Sequence, residues 1–468
     1  MLQLVWFKRD IRLFDHQAIH HAVATGEKVL FMYIAEPSIW QAGDLAKRHF
    51  TFMQQSLEDI QQSLRKIGGE LYVAIGEMES ILDDIYKMYG AFRMHSHYEH
   101  GIQPTFDRDL RVKRWIDEHT CLWTEYADFP VVRGKNAPRR RDFLKEWIKE
   151  PILAIPRQVF SLSTVPNVLT NDLTILESFQ VPGEERAIDI RGGEKEGIAY
   201  AKRFFEEKYM RYNIDMNKPY VAPSSSSIIS PYLTWGNISL KSLMRAVQKH
   251  MKHLKQTANP SEYDFLFEQL KSFQARLEWR SSFVQTVENF PMMHIRSLDS
   301  RFEGIRHQNP ELLNAYIKGE TGFPFLDACM RSLQQTGWIN FKQRAMLATF
   351  GCNVLLLDWR VVGKVLAHAF TDYDPGIHWK QMQLQSGIDP KHHIPMHNVI
   401  KQGKENDPKG EFIKLYIPEL RHLDDTNIHE PWSLEINPYI IPIIDLKQSM
   451  DDHKKLLYGI KKNGHASE

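Results

Sequence analysis

Between Thr321 and Leu420 the chain reads TGFPFLDACMRSLQQTGW, then INFKQRAMLATFGCNVLLLDWR, TDYDPGIHWKQMQLQSG and NVIKQGKENDPKGEFIKLYIPEL. No other stretch limits the possible folds so strongly. Phe325, Leu326, Cys329, Met330 and Leu333 recur at helical spacing on one face. Asn340 suits the N-cap of the next helix. That helix, through Leu357, is apolar on most sides and predicts burial on most sides. Lys342 and Arg344 near its start then read as buried cations, which need anionic partners. Asp372 and Asp374, in the TDYDPG turn, are the acids the pattern offers. A structural Arg–Asp pair is the plainer reading; a helical scaffold built around a ligand is the sharper one.

The chain has 468 residues, more than one core accommodates, so two or three domains are expected. Its net charge of +1 does not mark a nucleic-acid binder, so any basic surface must be local. Cys121, Cys329 and Cys352 are far apart in apolar context, which predicts reduced, buried thiols in a cytoplasmic protein. They are too few for an iron–sulfur cluster. The start, MLQLVWFKRD, lacks a secretory pattern. No window reaches about 18 uninterrupted apolar residues, so no membrane span is expected.

Residues 1 to 127 alternate strand and helix patterns. Leu2–Phe7, Lys28–Ile34, Leu71–Ile75, Phe92–His95 and Leu122–Tyr126 have strand length. Helical patterns lie between them, with Phe50, Met53, Leu57, Ile60 and Leu64 on one face of the second. This predicts an α/β domain with a doubly wound, parallel, five-stranded sheet. Its ligands would sit beyond the carboxyl ends of the strands. The first turn, KRDIRLFDH, has no GxGxxG, so an ordinary dinucleotide site is not expected. Residues 128–195 hold six prolines, from Pro130 to Pro182, and read as a connector. Arg133, Lys135, Arg139, Arg140 and Arg141 cluster there, either as a solvated loop or as contacts to a phosphate backbone. A larger all-helical domain is expected over 196–430, followed by a tail at 431–468.

The segment SSSSIISPYLTWGNIS places serines ahead of a helix start, with Ser230 as N-cap and Pro231 in the first turn. Hydroxyls and backbone amides at such a start suit a phosphate, although serine runs are more often linkers. His95, His97 and His100 fall at strand-end spacing beside Glu99. They read as surface histidines or a polar rim, and no metal site is expected.

These segments resemble the photolyase/cryptochrome family. The central stretch looks like its flavin-binding domain, SxxSPYLTWGNIS like its phosphate-binding serines, and LVWFKRDIRLFDHQAI like its first strand and turn; GGE at 192–194 also fits. The resemblance covers roughly residues 1–430. It implies an N-terminal antenna domain and a helical domain holding FAD in a folded-over conformation. Carried over residue by residue, it implies that Tyr212, Ser226, Ser227 and Ser230 hold the FAD phosphates and ribose. It implies that Arg344 and Asp372 pair against the isoalloxazine and that Asp374 faces the ring's N3/O4 edge. Trp279, in RLEWRSSF, matches a Trp on which a flipped pyrimidine dimer stacks.

The chain also departs from the family. Arg276 stands where the dimer-repair enzymes carry Glu, and Glu278 should point elsewhere on the helix. Asn340, Phe341 and Lys342 stand where His-Asn-Arg is expected. His378 occupies the position facing flavin N5, where Asn or Asp is common. Of three relay tryptophans only Trp359 remains, with Met382 and Arg306 at the other positions; Trp338, Trp379 and Tyr373 are candidates for another electron route. A folate antenna's Asn–Glu pair is not evident in HYEHGIQPTF, which leaves any antenna chromophore unidentified. RLxWxxxF with DYxPGIHWxQ is similar to a bacterial subgroup without the Trp triad.

The resemblance implies light-dependent repair of cyclobutane pyrimidine dimers in UV-damaged DNA; a monomer is expected. Trp279, Arg276 and His378 would be its catalytic residues, and Lys342, Arg139 and Arg140 its DNA contacts. A cryptochrome-like photoreceptor and a (6-4) photoproduct repair enzyme are the alternatives, and a flavin-free helical scaffold is the bland one.

Overall fold

A computed structural model describes residues 1–133, 140–183 and 190–462. Lys135 and Arg139, with the side chains of Arg140 and Arg141, lie outside the described residues.

The short apolar runs form five strands: β1 Gln3–Phe7, β2 Val29–Ala35, β3 Leu71–Ile75, β4 Arg93–His97 and β5 Leu122–Tyr126. All are parallel, in the order β3-β2-β1-β4-β5. Helices α1 (Gln17–Ala24), α2 (Lys47–Arg65), α3 (Met78–Tyr89) and α4 (Gln103–Glu118) connect them. Because a parallel sheet is covered on both faces, β1 and β2 are buried at every residue. Leu4, Trp6, Leu30, Met32 and Ile34 share one core with Met78, Ile81, Leu82 and Ile85 of α3. On α2, Phe50, Met53, Leu57, Ile60 and Leu64 are all buried, as their spacing predicts. Strand order reverses between β1 and β4, so the crevice of the sheet opens where Lys8–Asp10 follow β1 and Tyr98–His100 follow β4.

The proline-rich stretch 128–195 carries regular structure among its described residues. It carries a short helix at Arg140–Trp147 and a 3₁₀ segment at Leu173–Ser178. It also touches the sheet through bridges Ser161–Val29 and Thr170–Val73. The rest of the described chain is mostly helical. The helices used below are α5 Glu194–Arg203, α6 Leu240–Thr257, α7 Pro260–Asn289, α8 Pro324–Thr336, α9 Phe341–Thr349, α10 Trp359–Ala369 and α11 Pro375–Gln385.

Two compact units result. One comprises Met1–Tyr209, Ser227–Pro291 and Asp372–Gly376; the other comprises Met210–Ser226, Met292–Thr371 and Ile377–Glu468. In the second unit the apolar face of α8 is buried as expected, with Phe325, Leu326, Cys329, Met330 and Leu333 at 5% exposure or less. Asn340 caps α9 through a reciprocal box with Gln343. The expected single helix to Leu357 is shorter. It loosens into a π turn at Phe350–Val354, and Leu356 takes φ of +52°, a left-handed conformation that ends the run.

Candidate functional site

In the first unit the turn after β1 acts as a clamp. The Glu194 carboxylate at the start of α5 accepts from the amides of Leu13 and Phe14, both at 2.9 Å. Arg12 pairs with Asp128 and donates to the Gly236 carbonyl at 3.0 Å. Asn237 donates to the Ile11 carbonyl at 2.8 Å. Gly236 has φ of +63°, and a Cβ there would lie 2.3 Å from the Arg9 carbonyl. The turn therefore grips the segment after the serine run. This explains KRDIRLFDH without a dinucleotide fingerprint. Glu194 is the acid of the GGE motif, but nothing near it in sequence reveals this task.

That segment forms a short helix, Ser230–Thr234, whose N-cap is Ile229. Ser230 is thus its first helical residue rather than its cap, and Pro231 follows it. A one-residue shift is usual where a helix end lacks a side-chain cap. Ser226, Ser227 and Tyr212 are each buried to within 9% exposure.

Asp374 is held by Arg280, with a guanidinium–carboxylate contact of 2.5 Å. Arg280 also donates to the Leu233 carbonyl at 3.1 Å. Arg280 has no local sequence signal for this role, because Asp374 lies 94 residues away. Asp372 is 9% exposed, and its carbonyl accepts from the Thr234 hydroxyl at 3.2 Å. Between the two acids, Tyr373 is fully buried and donates its hydroxyl to Asp44 at 2.5 Å. Helix α7 turns Trp279 outward at 44% exposure while its neighbour Arg280 points inward. The Arg276 guanidinium lies 4.4 Å from the Trp279 ring. Glu278 accepts from Gln274 at 2.8 Å, on the helix itself.

The three strand-end histidines are buried, not a surface rim. His95 lies between Tyr126 and Gln3, at 2.9 Å each, and His100 meets Glu288 at 2.8 Å. His97 meets Asp10 at 2.8 Å, and His16 Nε2 lies 3.2 Å from the same carboxylate. His16 Nδ1 accepts from the Ile19 amide as the cap of α1, which leaves the proton on Nε2, facing the Asp10 carboxylate that His97 also meets. Burial pushes the His16 imidazole down to about 4. Burial pushes the Asp10 carboxyl up, but the contacts and charge of His16 and His97 together more than offset it and hold it well below its usual range.

In the crevice, Arg108 pairs with Glu36 and Glu99 at 2.5 Å each, with its guanidinium 4.6 Å from the Trp6 ring. Arg133, expected in a solvated loop or on a phosphate, turns to Glu288 at 3.3 Å and Asp109 at 3.5 Å.

In the second unit Arg344 donates to the Ile339 carbonyl at 2.9 Å, with its guanidinium 4.2 Å from the Phe370 ring. Lys342 is exposed rather than buried, and reaches Asn406 at 3.4 Å. The first turn of α9 faces solvent on that side, where Phe341 is 44% exposed. His378 donates from Nε2 to the Gly363 carbonyl at 2.9 Å. Its neighbour Trp379 packs against Gly363 and meets Trp359 at 6.1 Å between ring centroids, both rings 1% exposed. Trp338 is half-buried. Met382 is buried, and Arg306 is spent on the Cys352 carbonyl and Asn353, each at 2.9 Å.

The buried donors of this unit without a partner among the described residues include Asn340 Nδ2 and Thr371 Oγ1. Thr371 donates its amide to Gly337 at 2.9 Å, so both belong to the turn region that precedes α9. Unmatched buried donors suit a ligand rich in acceptors, as a flavin nucleotide is. The residues present fit that group. No helix among the described residues is long and apolar enough to cross a membrane.

Comparison with known proteins agrees. Residues 273–457 match the FAD binding domain of DNA photolyase, and residues 3–139 match the DNA photolyase domain. A deoxyribodipyrimidine photo-lyase of Alkalihalophilus pseudofirmus is 26% identical over 459 residues, covering 92% of this chain and 90% of that protein. A cryptochrome DASH of Synechocystis is 25% identical over 497 residues, covering 97% of each. The structure of a class III photolyase from Agrobacterium tumefaciens superimposes with a TM-score of 0.84 over 98% of both chains at 23% identity, which speaks to the fold. Two domain matches that together span most of the sequence, with relatives along its whole length, place the chain in the photolyase/cryptochrome family, with an FAD-binding domain.

Proposed function

We propose that the protein repairs cyclobutane pyrimidine dimers in DNA under blue light. The observation that carries this reading is the outward Trp279 with Arg276 beside it on α7. An exposed indole is a stacking platform for an extruded base, and the guanidinium offers a charge for the lesion or its phosphate. One residue on, the same helix fixes Asp374 through Arg280. A single rigid element thus serves both the lesion platform and the acid assigned to the ring edge.

Fully reduced FAD, when bound, supplies the electron that splits the dimer under light. The chain's part is to bind and orient. Tyr212, Ser226, Ser227 and Ser230 are assigned to the phosphates and ribose, and Arg344, Asp372 and Asp374 to the ring. His378, its Nε2 proton fixed by Gly363, is assigned to the N5 side, where a protonated imidazole favours an anionic ring. Trp359 and Trp379 are in contact and Trp338 is half-buried; these are the tryptophans the family resemblance offers as one candidate electron route. Lys342, which is exposed, is assigned to the DNA phosphates with Arg139 and Arg140.

The test is dimer loss from an oligonucleotide incubated with the reduced protein under blue light. Loss of dimers is expected. Intact dimers on both single and double strands would refute the repair reading. The photoreceptor reading would then take its place, favoured by Arg276 where the family's repair enzymes carry Glu. Replacing His378 with Ala should move the flavin midpoint potential; an unmoved potential removes His378 from this role.

A further inference from the structure

We propose that Tyr373, with Asp44 as its proton acceptor, supplies the electron when light reduces the bound flavin. The inference rests on the flavin reading above and adds a residue pair to it. Tyr373 lies between Asp372 and Asp374 in sequence, inside the FAD-binding domain match. Its ring is 1% exposed. Its hydroxyl meets the Asp44 carboxylate at 2.5 Å, the length of a charge-assisted O–H···O⁻ bond. Asp44 is itself 4% exposed.

A phenol that loses an electron becomes a strong acid, so a buried tyrosine is a practical donor only with a base already in contact. Asp44 is that base. The tryptophan alternative lacks this provision. Trp359 meets Trp379, yet its indole N–H is buried without an acceptor among the described residues. A hole placed there has no base in contact to take its proton. Met382 and Arg306 provide no further oxidisable ring at their positions.

The step balances as follows. One electron leaves the Tyr373 phenol for light-excited oxidised flavin, and the phenolic O–H bond breaks as its proton passes to Asp44 Oδ2. A neutral tyrosyl radical and a carboxylic acid remain. A thiol reductant in solution then returns an electron to Tyr373, and Asp44 returns the proton.

The experiment uses the full chain with oxidised FAD, illuminated at 450 nm and frozen for electron paramagnetic resonance, with thiol-driven photoreduction followed by absorbance in parallel. The parent protein should give a neutral tyrosyl signal. Tyr373→Phe should lose that signal and slow photoreduction about tenfold, the effect of removing roughly 1.4 kcal/mol of barrier lowering. Asp44→Asn keeps an acceptor oxygen but cannot take the proton. It should slow photoreduction and abolish the solvent deuterium effect expected in the parent. Trp359→Phe should leave the tyrosyl signal in place. The proposal is overturned if the parent gives no tyrosyl signal, if Tyr373→Phe photoreduces at the parent rate, or if the radical is tryptophanyl and lost in Trp359→Phe. Repair by dithionite-reduced protein separates this from the repair reading. Tyr373→Phe should repair like the parent once chemically reduced, whereas absence of repair in every protein refutes dimer repair alone.

Discussion

Replacing Arg280 with Met should destabilise the first unit and loosen the Asp374 turn. The two side chains are 6% and 9% exposed and meet at 2.5 Å. At an effective dielectric constant of about 20 the attraction at that separation is roughly 7 kcal/mol. Desolvating two ions offsets several kcal/mol for each, so the intact pair stands near balance. Removing one partner keeps the burial penalty of the other and deletes the attraction. Arg280→Met should therefore cost about 3 kcal/mol, and Asp374→Asn about the same. The double variant should cost no more than either single one, a coupling of about 3 kcal/mol. Urea unfolding followed by far-ultraviolet circular dichroism measures this, with flavin content per chain as a second readout. Additive single effects, or a loss below about 1 kcal/mol in Arg280→Met, would refute the buried-pair argument.

Trp279→Ala should leave stability within about 0.5 kcal/mol, since the side chain is 44% exposed. It should weaken binding of a dimer-containing oligonucleotide about tenfold or more, read by fluorescence anisotropy, while affinity for undamaged DNA stays unchanged. Burial holds His16 at about 4, below its ordinary 6.5. Between those values the unfolded chain binds a proton that the folded one refuses, so stability should fall as pH is lowered through that window. His16→Gln should flatten the profile of urea midpoints against pH. In Gly363→Ala the new Cβ would lie 2.5 Å from Trp379 Cζ3. Overpacking of about 1–3 kcal/mol should exceed the 0.5–1 kcal/mol gained from helix propensity, lowering the urea midpoint.

Local pattern carried the sheet. Five runs of strand length, separated by amphipathic helices, were sufficient because periodicity and length are properties of neighbouring residues. Caps were legible for the same reason at Asn340, where partner and cap are three residues apart. Pairings across the chain were not legible. Asp374 finds Arg280 at a separation of 94 residues, and His95 finds Gln3 at 92. Polar residues in short runs look solvated until such distant partners are known, which is why the strand-end histidines read as surface. Lys342 failed in the opposite direction: an apolar helix predicted its burial, but the first turn of α9 faces solvent. In the candidate site, residues singled out by motif were individually legible, while the groups that hold them, Arg280, Asp44 and Glu194, were not.

The five residues Asp372–Gly376 belong compactly with the first unit although the chain on either side of them does not. Tyr373 reaches Asp44 across 329 positions. Closing a loop of that size carries an entropic penalty that only already-formed partners can offset. On a ribosome the α/β sheet is complete long before this turn emerges, so the N-terminal unit must wait, nearly assembled, for a short late insertion. The two acids flanking Tyr373 consequently reach their positions near the end of folding. Acquisition of the cofactor would then report that the last long-range closure has been made, and a chain truncated before Asp372 would keep its sheet yet lack that signal of completion.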